Sequence, residues 1–206
     1  MKKNMDATST PLEWLSQFFS FKDVFTLRSV TAMGMLLAIS VVLGQFSLYI
    51  TPTFKGITVA YLPGVVVGML FGPWAALVFG FVADFIKWLI RPQGAYFIGY
   101  ALSEMLSYFF YACMFFRQRK PIGMWRVVVA RLAVLVLIVF GINYWWNVIQ
   151  FGQPAGKYFT NVRLISNLGQ FPFHAVLVLG VIKIVEKQNY FGFKGPGLRT
   201  DAKLKE

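Results

Sequence analysis

Residues 127–150 read VVVARLAVLVLIVFGINYWWNVIQ, twenty-four positions with a single charge, Arg131, and no proline. A hydrocarbon core about 30 Å thick is crossed by roughly 20 helical residues, so this run predicts a membrane-spanning helix. Five further apolar stretches flank it: Arg28–Leu48, Tyr61–Phe71 running on to Gly72, Trp74–Ile90, Tyr96–Phe116 and Val162–Val185. The stretch from Tyr61 is short and bounded by Pro63 and Gly72-Pro73. It is either a stubby helix buried in protein or an extension of the loop before it. The composition agrees with a bilayer as solvent: 57% of the 206 residues are apolar and 14% are charged, with a mean hydropathy of +0.61. A soluble domain carries roughly 25% charged residues.

The expected fold is therefore an all-α integral membrane protein of six transmembrane helices. Residues 1–27 form an N-terminal extension, 28–186 the membrane domain and 187–206 a basic cytoplasmic tail. In the extension, Leu12, Leu15, Phe18, Phe19 and Phe25 share an apolar side while Glu13, Gln17 and Lys22 stay wet. That pattern predicts an amphipathic helix lying flat on the membrane. The extension lacks the continuous apolar core and small-residue cleavage site of a signal peptide. A lone Cys113 excludes a disulfide within the chain and any Cys-based metal cluster.

Lysine and arginine placement sets the orientation. With both termini in the cytoplasm, fifteen of the twenty basic residues fall on the inner side, Arg131 among them. The inverse arrangement puts those fifteen outside, so N-in, C-in is expected. Much of the net charge of +12 is then a topology signal and a contact for anionic lipid, and no nucleic-acid partner is needed to account for it.

The opposite end carries a different message. Its loops, 49–60, 91–95 and 151–161, contain Lys55, Arg91 and Lys157 and no Asp or Glu, and Arg163 begins the last span just below. A cationic, acid-free mouth walled by low dielectric attracts an anionic ligand. Snorkelling to lipid phosphates is the alternative use of such cations. Two polar stripes end at this rim. Asn143, Trp146, Asn147 and Gln150 lie at i, i+3, i+4 and i+7; Arg163, Asn167, Gln170 and His174 lie at i, i+4, i+7 and i+11. Amides and an arginine are expensive against lipid, so both stripes should face the bundle interior. Hydrogen bonding between helices is the other role open to them. Between the third and fourth spans, Arg91-Pro-Gln-Gly-Ala-Tyr-Phe-Ile-Gly-Tyr100 makes a tight non-helical turn at Pro92 and Gly94. Arg91 offers a fork for a carboxylate, and Tyr96, Phe97 and Tyr100 could wall an aromatic ligand. The candidate binding residues are Gln45, Arg91, Gln93, Tyr96, Tyr100, Asn143, Trp146, Asn147, Arg163 and Asn167.

Catalytic signatures are missing. Gly152-Gln-Pro-Ala-Gly156-Lys157-Tyr158 has three residues between its glycines where a phosphate loop needs four, and Tyr where Ser or Thr must bind magnesium. ATP hydrolysis by this chain is not expected. One His, one Cys and no clustered carboxylates point to neither a metal site nor a triad, and no cofactor is expected. Asp84 and Lys87, at i and i+3, are read as a structural ion pair; Glu104 is paired internally or accepts from a ligand.

Several of these segments, in order, resemble one family. A small-residue first span is followed by Leu62-Pro-Gly64, Gly68-Met-Leu-Phe-Gly-Pro73, the mid-span Asp84 and the Arg91–Tyr100 turn. Then come Asn143 with Trp146, Arg163-Leu-Ile-Ser-Asn167 and Phe171-Pro172. This series, covering about Thr26 to Glu186, is similar to the folate-family S components of energy-coupling-factor (ECF) vitamin transporters. The chain departs at Ile98, where the family has proline, at the inserted Tyr144-Trp145, and at Glu104, where a small residue is usual. The resemblance implies a six-helix substrate-capturing subunit in a bacterial cytoplasmic membrane, working with a transmembrane coupling subunit and two cytoplasmic ATPases. Folate is the expected ligand, its flat pterin and glutamate tail suiting an aromatic, cationic site; pantothenate is the alternative. Gly34 and Ala38, with Ala32 beside them, make a smooth strip on span one that would dock on the coupling subunit. From a different class, a membrane scaffold or a lipid-modifying protein would also be helical, although the missing acids, His and metal ligands count against an enzyme.

Overall fold

The six apolar runs become six helical rods in the computed structural model, which describes residues 26–46, 49–51, 54–55, 58–92, 94–116, 122–152 and 161–188. The amphipathic helix expected over 12–25, and the tail beyond 188, lie outside the described residues. The rods are α1 (Leu27–Gln45), α2 (Leu62–Phe71), α3 (Pro73–Ile90), α4 (Ile98–Phe115), α5 (Met124–Phe151) and α6 (Asn161–Gln188). Among the described residues, three segments are long and apolar enough to cross a membrane: Pro73–Ile90, Met124–Phe151 and Leu164–Lys187. One departure from an all-α fold is a small antiparallel hairpin after α1. In it β1 (Tyr49–Thr51) pairs with β2 (Phe54–Lys55), Tyr49 opposite Lys55. Spacing along the chain assigns this stretch to a loop, yet its aromatic and β-branched residues suit a pleated ribbon.

Each end of α1 and α2 has a local cause. Thr26 caps α1, its Oγ1 accepting from the Ser29 amide at 3.3 Å. Ser40, fully buried, donates to the Ala60 carbonyl at 2.7 Å and so ties α1 to the chain entering α2. Pro63 sits in the first turn of α2, and Gly72, at φ +94°, ends it just before Pro73 starts α3. Ten residues span only about 15 Å, and nine of them are buried. Of the two readings open from sequence, α2 is the stubby, protein-buried helix. It packs against α1, α3, α4 and α6.

Glycines let the central helices approach. A methyl at Gly68 would stand 3.0 Å from the Ala112 side chain, and one at Gly80 would stand 2.8 Å from the Met105 backbone. The core around them includes Val65, Val67, Phe71, Tyr108, Tyr111 and Phe115. Outward, α1 presents Met35, Ile39 and Val42, as a lipid-facing helix would.

Two helices are irregular. Between Met124–Ala133 and Asn143–Phe151, α5 widens into a nine-residue π-helix, Val134–Ile142. Such segments rotate the residues beyond them relative to a regular α-helix and collect at functional sites. Pro172 lies inside α6 and removes one rung of its hydrogen-bond ladder.

Candidate functional site

The turn between α3 and α4 builds one wall of the site. Gly94, at φ +109°, takes a conformation that side-chain-bearing residues rarely adopt. Its carbonyl accepts from Trp88 Nε1 at 3.1 Å, which folds the turn back over α3. Tyr96 follows it, with its ring 5.1 Å from Trp88 and edge-on to Phe85 at 5.6 Å. Asp84 sits against the Tyr96 phenol.

Phe97 points the other way. Its ring meets Tyr100 at 5.6 Å and Trp146 of α5 at 5.7 Å, both edge-on. Trp146 reaches this position because Gly99 carries no side chain: a methyl there would lie 2.3 Å from the Phe97 ring and 2.7 Å from Trp146. Trp146 Nε1 donates to Ser103 Oγ at 3.1 Å, and that hydroxyl donates on to the Gly99 carbonyl at 3.2 Å. Asn147 Nδ2 donates to the Tyr100 hydroxyl at 3.3 Å and to the Asn143 carbonyl at 2.9 Å. Asn143 Oδ1 and Gln150 Oε1 are buried without a hydrogen-bond partner. Buried acceptors of this kind cost free energy unless a donor arrives. The α4–α5 seam thus combines flat rings with unspent amide acceptors, suited to a planar ligand rich in N–H donors.

Tyr100, Asn143, Trp146 and Asn147 of the predicted set are therefore brought together. Tyr96 belongs to the neighbouring α3 cluster, at the same turn. Gln45 ends α1 half-buried, Arg91 caps α3 in an exposed position, and Asn167 is half-buried on α6. Arg163 lies in the first turn of α6, and Gln93 falls outside the described residues. Ser103 joins this seam through Trp146 and is missing from the candidate set, although Tyr100, Ser103 and Ser107 follow an i, i+3, i+7 spacing that could have exposed it.

Two placements differ from expectation, and a third, Arg131, is more specific than it. Lys87 pairs with Glu104 on α4 at 2.5 Å and not with Asp84, and the Tyr108 hydroxyl donates to the same Glu104 oxygen at 2.6 Å. The glycine-mediated approach of α3 to α4 brings Glu104 head-on to Lys87. Arg131, counted on the inner side, is half-buried and bonds His174 of α6 at 2.7 Å. Ala32 packs on the core, while Gly34 and Ala38 are exposed, because two helical positions are about 200° apart. Trp146 also borders a groove of about 400 Å³, lined with it by Leu77, Leu102, Met105, Leu106, Ile142 and Trp145. It is wholly apolar and offers nothing to hold an anion.

Apolar helices packed around an aromatic and amide seam describe a helical membrane-type bundle with a candidate ligand-binding wall. The chain belongs to the family described as ECF transporter, substrate-specific component, whose model matches residues 28–185. The folate transporter FolT of Clostridium novyi (strain NT) is 30% identical over 155 residues, spanning 75% of this chain and 88% of that protein. FolT of Leuconostoc mesenteroides subsp. mesenteroides is 28% identical over 149 residues, 70% of this chain and 79% of that one. A solved structure, the crystal structure of FolT bound with folic acid, matches with a TM-score of 0.69 at 30% identity. The match covers 77% of this chain and 94% of that one.

Proposed function

We propose that this chain captures folate at the outer face of a bacterial cytoplasmic membrane and delivers it inward as the S component of an ECF-type importer. The observation that carries the reading is the α4–α5 seam, where Phe97, Tyr100 and Trp146 meet edge-on and the α5 stripe carries the unpartnered amide oxygens of Asn143 and Gln150. A pterin is flat and bears N–H donors on its edge, the complement of such a wall. The names of both relatives, and of the solved structure, support the same ligand. Pantothenate has no ring to lay against these aromatics and is the weaker reading. All six rods would serve as spans, N-in and C-in, with Arg91 and Arg163 at the outer rim for the carboxylates of the tail. Energy would come from two cytoplasmic ATPases through the transmembrane coupling subunit.

The direct test is mass spectrometry of vitamin carried through purification, followed by parallel titrations with folic acid and pantothenate. Saturable binding of pantothenate alone would reverse the ligand assignment. Arg91→Ala and Arg163→Ala are each expected to weaken folic acid binding by roughly 1.5–3 kcal/mol where a charge-assisted bond is lost. Unchanged affinity in both folded variants would end the carboxylate-clamp reading. Gly99→Ala, whose added methyl meets both Phe97 and Trp146, should lower affinity about tenfold, or ~1.4 kcal/mol. Calorimetry showing native affinity would mean that the Trp146 position is immaterial to the ligand.

Docking on the coupling subunit is assigned to the exposed face of α1. A methyl at Gly34 would meet nothing within 4 Å, and Ala38 lies one turn further on, also exposed. Gly34→Trp or Ala38→Trp should spare folic acid binding while abolishing assembly and uptake. Loss of binding with assembly intact would relocate the strip to internal packing.

A further inference from the structure

Two apolar faces share the groove beside Trp146 and leave it open between them. Leu102, Met105 and Leu106 recur at i, i+3 and i+4 on α4, and Ile142, Trp145 and Trp146 recur in the same way on α5. Leu77 of α3 completes the lining. The volume of about 400 Å³ falls within the range of about 300–1,000 Å³ typical of ligand pockets.

The chemistry of the walls narrows what can fill it. They present no polar surface, so neither a water nor a polar ligand finds a hydrogen bond there. A helix of another protein fits poorly, because close helix approach in a membrane relies on Gly, Ala, Ser or Thr at the contact. This lining is Leu, Met, Ile and Trp. A flexible hydrocarbon chain needs neither donors nor small residues, and Met105 can adapt to its bends. The groove reaches the protein surface at Leu102, 40% exposed, and at Trp145, 63% exposed. Exposed apolar surface runs on from there to Ile98, one turn before Leu102, and to Ile149, one turn after Trp145. Both extensions lead to the end of the bundle where α4 begins and α5 finishes. α3 and α5 are long and apolar enough to cross a membrane, so hydrocarbon surrounds this surface in a bilayer. Measured along α3, Leu77 lies about 20 Å below Ile90, which puts the floor of the groove roughly as deep as one leaflet's half of a 30 Å core.

We infer that the groove is a binding site for a single acyl chain of a membrane phospholipid, entering from the end of the bundle where α4 begins and lying between α4 and α5 against Trp146. The site depends on residence in a bilayer and not on which vitamin the chain carries. The test places the full chain in phosphatidylcholine nanodiscs containing a trace of phosphatidylcholine with a diazirine midway along one acyl chain. After irradiation, mass spectrometry of the digested protein locates the labelled residues. Met105, Leu106 and Ile142 should be labelled several-fold more than Met35, Ile39 and Val42, which α1 exposes more fully but outside any such groove. Leu102→Trp, which puts an indole into the mouth, should bring groove labelling down to the α1 level and leave α1 labelling unchanged. Crystals of the wild-type protein grown in a lipid mesophase give a readout that needs no variant to fold: rod-like density along the groove is expected. Labelling that merely follows exposure on every helix would make this ordinary boundary lipid and overturn the inference. Groove labelling that survives Leu102→Trp, or an empty groove in the mesophase crystals, would overturn it as well. Groove labelling below that of α1 would mean that protein covers the surface, and would give it to a second copy of the chain or another subunit instead.

Discussion

Trp146→Ala is expected to weaken folic acid binding by about 100-fold or more, some 3 kcal/mol. The indole is held on two sides, by the Phe97 ring at 5.7 Å and by Ser103 through Nε1 at 3.1 Å. Its removal takes away a flat surface and leaves Phe97 and Tyr100 without the support that sets their tilt. Trp145 is the internal control. It is adjacent in sequence, 63% exposed, and its ring lies 5.8 Å from that of Tyr144. Trp145→Ala should bind folic acid almost as the parent does. Titration calorimetry of both proteins in one detergent decides the matter, and equal affinities for the two variants would place the ligand away from the seam.

Gly64→Ala should lower stability by about 3 kcal/mol, at the upper end for overpacking a core. The new methyl would sit 2.4 Å from Cε1 and Cζ of Tyr108. That ring has nowhere to retreat: it is 1% exposed, packed edge-on against Phe79, and its hydroxyl is bonded to Glu104. Shifting it would also disturb the Lys87–Glu104 pair, and a half-buried charge left without its partner costs more again. Gly180, on α6, has nothing within 4 Å of an added methyl. Gly180→Ala should be neutral or slightly stabilising, since alanine suits a helix interior better than glycine. Thermal unfolding in the same detergent compares the two; if Gly64→Ala melts as late as Gly180→Ala, the α2–α4 contact is looser than its geometry implies.

Asn143, Trp146 and Asn147 are legible as one face of α5 because their spacing lies wholly inside regular helix, where three and four residues return to one face. The stripe on α5 begins at Asn143, immediately after the π-helix ends, so the wider turns of that segment leave its internal phase untouched. Arg131 lies on the other side of the same segment. Counting charges along the chain puts it on the inner side but cannot show its bond to His174, which depends on how α5 and α6 pack. Tyr96 and Phe97, adjacent in one aromatic turn, separate onto different clusters for a reason equally invisible from spacing: Gly94 reverses the backbone and Trp88 holds its carbonyl.

Whatever depends on one segment at a time was determined by the sequence alone. The apolar lengths dictate helices in lipid, Gly72-Pro73 breaks α2 from α3, and Pro92 with Gly94 turns the chain between α3 and α4. Tertiary structure decided the pairings. Lys87 could have met Asp84 on its own helix; it meets Glu104 because Gly80 lets α3 approach α4 until a lysine head reaches the opposing carboxylate. Arg131 finds His174 because α5 and α6 pack together along the first half of α5. Backbone preferences act over a few residues and can be read in order along the chain. Contacts between helices depend on rotation, tilt and separation, which are settled only when every rod has packed against its neighbours.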